Sequence, residues 1–136
     1  MSTKSTDRTS APCPCDSGQL YGVCCAPLHT GTPAASAEAL MRSRYSAYVM
    51  RMGDYLLSSW HPKTRPPAMD FNPAITTRWL GLEIVRHAQT NADNAVVEYI
   101  ARWREGGHRA QKLHEISKFQ RVDGNWFYLS GDILPQ

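Results

Sequence analysis

Leu113-His114-Glu115-Ile116-Ser117-Lys118-Phe119-Gln120-Arg121-Val122-Asp123-Gly124-Asn125-Trp126-Phe127-Tyr128 is the stretch that decides the fold. Asp-Gly between two alternating runs signals a two-residue type I′ hairpin. Such a loop pairs Val122 with Asn125, Arg121 with Trp126 and Phe119 with Tyr128. Side chains alternate faces along a strand, so Leu113, Glu115, Ser117 and Phe119 share one face with Trp126 and Tyr128. That face is aromatic and holds one carboxylate and one serine hydroxyl. The two strands are expected from about Arg109 to Val122 and from Asn125 to Ser130.

Working upstream, Val97, Tyr99, Ala101 and Trp103 alternate with Glu98, Ile100, Arg102 and Arg104, a further strand. Glu105-Gly106-Gly107-His108 makes the loop between them. A plain hairpin there places Glu98 opposite Glu115. A one-residue bulge instead brings Tyr99 or Trp103 onto the aromatic face. The second register is physically easier, because facing carboxylates repel. Leu82–Thr90 is the first strand candidate, closed by the turn cluster Asn91-Ala92-Asp93-Asn94.

The segment before the strands reads as helical. Ser36 can cap a helix from about Ala37 to Met52. Met41, Tyr45, Tyr48 and Met52 fall on one face of it, widened by Leu40 and Val49. Arg42, Arg44 and Arg51 read as a solvated face, with a phosphate or acidic-partner site as the sharper alternative. Gly53 is the expected stop, and Asp54 the cap of a short second helix carrying Leu56, Leu57 and Trp60. His61-Pro62 ends it, since Pro disfavours helical geometry in the residue before it. Asn72-Pro73 resembles a third helix start, with Ile75 and Trp79 four apart and Gly81 as its stop. Helices followed by a four-strand meander give an α+β layer, with the helices packed on one face of a curved antiparallel sheet. Such a sheet leaves a hollow, for which Tyr99, Glu115, Ser117, Trp126 and Tyr128 are the candidate lining residues.

The chain has 136 residues and a net charge of +3, from 15 basic and 12 acidic side chains, well mixed along it. That length suits one domain with a small appendage. No stretch approaches the roughly 20 apolar residues of a membrane span, and Met1–Ser10 lacks the apolar core of a secretory signal. A soluble, cytoplasmic protein is expected. Nucleic-acid binding is not indicated, for want of a concentrated basic patch.

All four cysteines lie in Cys13-Pro14-Cys15, eight residues, then Cys24-Cys25. A disulfide scaffold spreads its cysteines to close long loops. Two thiol pairs on a short linker read better as a metal knuckle, with Gly18 and Gly22 available for turns and Asp16 and Ser17 for bonds to the loop backbone. Four reduced surface thiols, or redox switching through a vicinal Cys24–Cys25 disulfide, are the alternatives. Four thiolates suit both zinc and iron.

Cys13-Pro14-Cys15-Asp16-Ser17-Gly18, with Tyr21 and Cys24-Cys25, resembles the SEC-C motif, named for the tail of the translocation ATPase SecA. The resemblance implies one zinc ion held by Cys13, Cys15, Cys24 and Cys25. Asp16 stands where the motif usually has Gly, at a modest cost if the position needs a positive φ. His29, four residues past Cys25, ranks below it as a ligand. Thr30-Gly31-Thr32-Pro33-Ala34-Ala35-Ser36 reads as a flexible linker, which divides the chain into a disordered tail 1–10, a knuckle 11–30 and a main domain 31–136.

Met41-Arg42-Ser43-Arg44-Tyr45-Ser46-Ala47-Tyr48, Tyr55-Leu56 with Trp60-His61-Pro62, Trp79-Leu80-Gly81-Leu82, and Glu115-Ile116-Ser117-Lys118-Phe119 with Asp123-Gly124-Asn125-Trp126 together resemble the YchJ family. The likeness covers nearly everything after residue 11. It implies a nuclear transport factor 2-like domain of the cystatin-like α+β type, preceded by the zinc knuckle. Such domains often dimerise through the open sheet face, so a homodimer is compatible with it. Some relatives carry a second knuckle at the C-terminus, where this chain has Asp132-Ile133-Leu134-Pro135-Gln136.

Three functional readings follow. The first is a non-enzymatic adaptor whose knuckle, on its flexible linker, docks a protein through Leu20, Tyr21 and Leu28. The resemblance to SecA tails suggests the export chaperone SecB or the ribosome as partner. The second is a small-molecule binder or enzyme using the cone-shaped pocket, with Glu115 or His61 as the titratable group. The bland role for Glu115 is to pair with Arg102 or Arg121. The third is thiol redox or metal sensing. No catalytic residue is assigned.

Overall fold

The computed structural model describes residues 8–69, 71 and 77–135. Most of the expected tail 1–10 lies outside them. After short 3-10 turns at Arg8–Ser10 and Tyr21–Val23 come helices α1 (Ala26–His29), α2 (Ala37–Val49) and α3 (Gly53–Ser58). Strands β1 (Thr77–Asn91), β2 (Asn94–Glu105), β3 (Gln111–Val122) and β4 (Asn125–Ile133) then form an antiparallel meander in the order β1-β2-β3-β4. Among the described residues no helix is long and apolar enough to cross a membrane.

Ser36 caps α2 as its sequence predicts, accepting the Ala39 N–H at 3.1 Å. The helix stops earlier than the apolar stripe suggests. Arg51 takes the left-handed position, φ 57°, beyond the helix end. Its N–H bonds Tyr48 O at 3.3 Å, and the next N–H, that of Met52, bonds Ala47 O at 2.8 Å. This is a Schellman closure built on arginine instead of glycine. Gly53 therefore opens α3 rather than ending α2, and Asp54 sits inside the first turn of α3 instead of capping it.

The expected third helix is corrected. Trp79, Leu80 and Gly81 belong to β1, where Trp79 pairs with Trp103 of β2. The four-residue spacing of Ile75 and Trp79 misled, because a cross-strand aromatic pair outweighs a short helical pattern. Asn72, Pro73 and Ile75 lie outside the described residues. Gly81 is not a helix stop. It marks a register shift in β1, and such bulges bend the strand.

Tyr99 pairs with Glu115, and Glu98 with Ile116, so the two carboxylates are kept apart as expected, but the β2–β3 ladder runs without a register shift, and the loop between Trp103 and Gln111 sets the pairing in place of the expected bulge. Glu98 turns outward to His114 and Arg86. In the β3–β4 hairpin Phe119 faces Tyr128 and Arg121 faces Trp126, as the loop predicts. An irregularity between Lys118 and Phe119 then moves Gly131 opposite Ser117, and the strand runs to Ile133. After α3 the chain adds to the sheet edge: His61 N–H bonds Tyr128 O at 2.7 Å, and Tyr128 N–H bonds Ser59 O at 2.9 Å.

The core lies between α2 and the concave face of the sheet, around Leu40, Met41, Tyr45, Val97, Phe119 and Trp126. Cys13, Cys15, Tyr21 and Cys25 belong to the same cluster. The knuckle thus packs directly on the domain, which corrects the picture of a module held off by a flexible linker. α2 is buried on two sides as a result, which explains why small Ser43, Ser46 and Ala47 are enclosed opposite its aromatic stripe.

Candidate metal centre and cavity

A small hairpin builds the knuckle. Cys13 N–H bonds Gln19 O at 2.9 Å and Tyr21 N–H bonds Ala11 O at 2.8 Å, with the reversal made by Asp16 (φ 62°) and Gly18 (φ 87°). The position that usually holds Gly does require a positive φ. Asp16 offsets the cost by a long-range contact: its Oδ2 accepts the N–H of Leu82 in β1 at 3.0 Å. Ser17 Oγ accepts Gln19 N–H at 3.2 Å and lies 3.0 Å from Cys24 Sγ. Gly22 makes no positive-φ turn. It permits close approach, since a Cβ there would meet the Thr9 carbonyl at 2.9 Å.

The four sulfurs of Cys13, Cys15, Cys24 and Cys25 lie within 4.8 Å of one another. Cys15 and Cys24 are 3.6 Å apart, Cys24 and Cys25 4.0 Å. A tetrahedral ion with zinc–sulfur bonds of about 2.3 Å sets sulfur–sulfur edges of about 3.8 Å. The arrangement fits a metal and is not a disulfide pair, for all four thiols are free. Without a metal the cluster cannot ionise fully. A hydrogen bond from Cys25 holds Cys15 down at about 4, against its burial. Burial pushes Cys24 up to about 11. The same bond to Cys15, with burial, drives Cys25 up further. One thiolate is thus sheltered by protonated neighbours, a cluster poised to exchange protons for a cation.

α2 grips this centre from behind. Ser46 Oγ lies 3.5 Å from Cys13 Sγ and 3.3 Å from Cys25 Sγ, and Arg42 donates to Cys15 O at 2.8 Å. His29 stands outside the sulfur cluster. Its Nε2 donates to Ser43 O at 2.8 Å, leaving Nδ1 to accept the Tyr21 hydroxyl at 2.7 Å. Tyr21 is therefore a packing residue, while Leu20 and Val23 face outward at 48% and 70% exposure.

On the other flank of α2, a cavity of about 260 Å³ opens between the helix and the sheet. Tyr45, Tyr48, Trp60 and Trp79 form its aromatic walls, and Arg44, Tyr99, Glu115 and Tyr128 its polar part. Glu115 accepts from Tyr99 Oη at 3.0 Å, Ser117 Oγ at 2.8 Å and Tyr128 Oη at 3.4 Å. Burial, and then the neighbouring carboxylate, pushes the Tyr99 and Tyr128 hydroxyls up, so both remain donors. Gly131 leaves the space in which that carboxylate sits, since a Cβ there would overlap it.

Of the residues expected around the hollow, Tyr99, Glu115 and Tyr128 line this cavity. Ser117 is fully buried and holds Glu115 from behind. Trp126 turns to a neighbouring groove beside Leu28 and Leu40. His61 is elsewhere, with its Nδ1 accepting Lys63 N–H at 3.0 Å. The supposed partners of Glu115 are engaged outside: Arg102 pairs with Glu83, and Arg121 with Asp93. The residue sequence reasoning missed is Arg44. It is 3% exposed, not solvated, and its guanidinium lies over the rings of Trp60 and Tyr128. Its position three after Met41 and four before Tyr48 carried the signal.

A curved antiparallel sheet wrapped over helices, with a four-thiol knuckle clamped to the first long helix, defines a nuclear transport factor 2-like domain joined to a SEC-C motif. The model of the SEC-C motif matches residues 10–27, and that of the YchJ middle NTF2-like domain residues 36–131. The chain belongs to the YchJ family, whose curated relatives carry the name UPF0225 protein. One, from Xanthomonas campestris pv. campestris (strain 8004), is 50% identical, covering 87% of this chain and 92% of the relative. Another, from Polaromonas naphthalenivorans (strain CJ2), is 46% identical over 90% of this chain and 98% of its own. The solution structure of a SEC-C motif containing protein from Rhodopseudomonas palustris is similar with a TM-score of 0.78 and 34% identity, covering 90% of this chain and 98% of that one.

Proposed function

We propose that the chain is a non-enzymatic adaptor whose zinc is structural and whose knuckle docks a protein partner. The carrying observation is the two-sidedness of the knuckle: its sulfur side is buried on α2, while Leu20 and Val23 are exposed at 48% and 70%. Four thiolates complete a zinc shell and leave no open position for catalysis. Because the knuckle is fixed to the domain, a partner bound there is held in one orientation to the sheet. SecB and the ribosome are the partners the SEC-C resemblance suggests, and a thiolate site suits the cytoplasm. The test is capture of purified SecB and of ribosomes by the zinc-loaded chain, beside Leu20→Asp/Val23→Asp. Capture lost in the double variant supports the reading; capture by neither protein, or equal capture by the variant, removes it.

A second reading is favoured by one observation. The cavity contains a held carboxylate, Glu115, and a buried cation, Arg44, at the end of an aromatic chamber. Small-molecule binding there needs no chemistry from the knuckle.

A further inference from the structure

Arg44 is a buried cation that pairs with no carboxylate among the described residues. Its Nη1 donates to Leu56 O at 2.9 Å and Ser59 Oγ at 2.6 Å, both neutral. The Cζ lies 5.0 Å from the Trp60 ring centre and 4.6 Å from that of Tyr128. Among the described residues no carboxylate forms an ion pair with it. Glu115, the acid of the same cavity, is satisfied by three hydroxyls, and Tyr128 stands between the two, donating to Glu115 and stacking on Arg44. A buried guanidinium keeps its charge, and burying a charge without a counter-ion is expensive. Ring faces offset part of that cost.

A second donor wants a partner. Trp60 Nε1 is buried and, among the described residues, has no acceptor. Trp60 lines the same cavity as Arg44. Unpaired buried donors are rare in native structures and call for an explanation.

We propose that the cavity binds a small aromatic carboxylate, with the acid on Arg44 and the Trp60 indole N–H and the ring between Tyr45, Tyr48 and Trp79. This rests on reading the cavity as a ligand site. The guanidinium fork suits planar oxyanions. Arg44 is the sole basic side chain among the described residues lining the cavity, and Glu115 shares the chamber, so a singly charged carboxylate is favoured over a phosphate dianion. The aromatic walls require an apolar body, and about 260 Å³ takes one ring system with a short acid arm.

The test uses the zinc-loaded full chain and four probes: phenylacetate, indole-3-acetate, phenylacetamide and phenyl phosphate. The Trp60 indole N–H resonance and calorimetry are followed. The acids are expected to shift that resonance and to bind at least about tenfold more tightly than the amide or the phosphate. Arg44→Met should cost at least about tenfold, and Trp60→Phe, which keeps the ring and loses the N–H, about threefold. If Arg44→Met does not fold, the acid–amide comparison and Trp60→Phe decide. Acid and amide binding equally at Trp60, or the phosphate binding best, overturns the carboxylate and leaves the cavity reading standing. No shift from any probe at millimolar concentration overturns both.

Discussion

The carboxylate of Asp16 in the metal knuckle accepts the backbone N–H of Leu82 in β1 at 3.0 Å, across 66 residues of sequence. The contact depends on Gly81, at φ 155°, where a Cβ would stand 3.0 Å from Asp16 Oδ2. Asp16→Gly relieves about 1 kcal/mol of left-handed strain and forfeits a charge-assisted bond worth about 2 kcal/mol. A net loss of about 1 kcal/mol in urea unfolding is expected. Gly81→Ala should cost about 2 kcal/mol, and less in the Asp16→Gly background. An Asp16→Gly chain as stable as the wild type would show that the clasp does no more than offset the left-handed strain at Asp16.

Metal removal should loosen the whole protein, because Cys13, Cys15 and Cys25 lie in the main core cluster. Treatment with a chelator is expected to lower Tm by about 10 °C. The accompanying loss should appear in tryptophan fluorescence, whose reporters lie in the main domain. Metal loss with unchanged Tm would mean that the knuckle folds and unfolds on its own.

Proton competition sets the metal's pH dependence. Cys24 is pushed up to about 11, chiefly by burial, and Cys25 higher, chiefly by its bond to Cys15, so each must surrender a proton to the solvent on binding. Cys15, held at about 4, is already a thiolate at neutral pH. Affinity therefore rises with pH, by at least about a hundredfold per unit for two protons released. Competition against a colorimetric chelator at pH 6, 7 and 8 reads the slope, and a flat profile would contradict thiolate ligation.

How much of this was legible depended on whether the deciding interaction was local. The β3–β4 pairing followed from Asp123-Gly124 alone, and the Tyr99–Glu115 register from the repulsion that Glu98 opposite Glu115 would bring. The four sulfurs announced themselves by spacing. Arg44 was misplaced because arginine was read as solvated despite its position on the aromatic face of α2. The docking of the knuckle was hidden, since Thr30–Ser36 has linker composition and the clasp from Asp16 reaches a residue far along the chain. Gly131 was invisible for a third reason. In an unshifted hairpin Ser117 faces Ser130, and only the irregularity at Lys118/Phe119 brings Gly131 under Glu115.

That glycine gives a sharp test. An added methyl at 131 overlaps the Glu115 carboxylate and comes within 3.0 Å of Tyr128 Oη. Gly131→Ala should destabilise by about 2 kcal/mol through overpacking. In a Glu115→Ala background the same change should cost much less, since the atoms it strikes are gone. Additive costs in the double variant would place the strain elsewhere in β4.

His29 provides the last expectation. Burial pushes its pKa below the ordinary value near 6.5, with the bond to Ser43 O opposing. The neutral ring donates through Nε2 and accepts the Tyr21 hydroxyl at Nδ1; a protonated ring keeps the first bond and loses the second. The unfolded chain therefore binds the proton more readily than the folded one. Its contribution to stability is full above about pH 6.5 and is lost as pH falls below that value toward the lower folded pKa. Titrating the imidazole by NMR in the metal-loaded protein should give a midpoint below 6.5. His29→Gln, which removes the titrating group, should make the fall in stability below about pH 6.5 less steep than in the wild type. A midpoint at or above 6.5 would mean that protonation does not oppose the seating of the knuckle on α2.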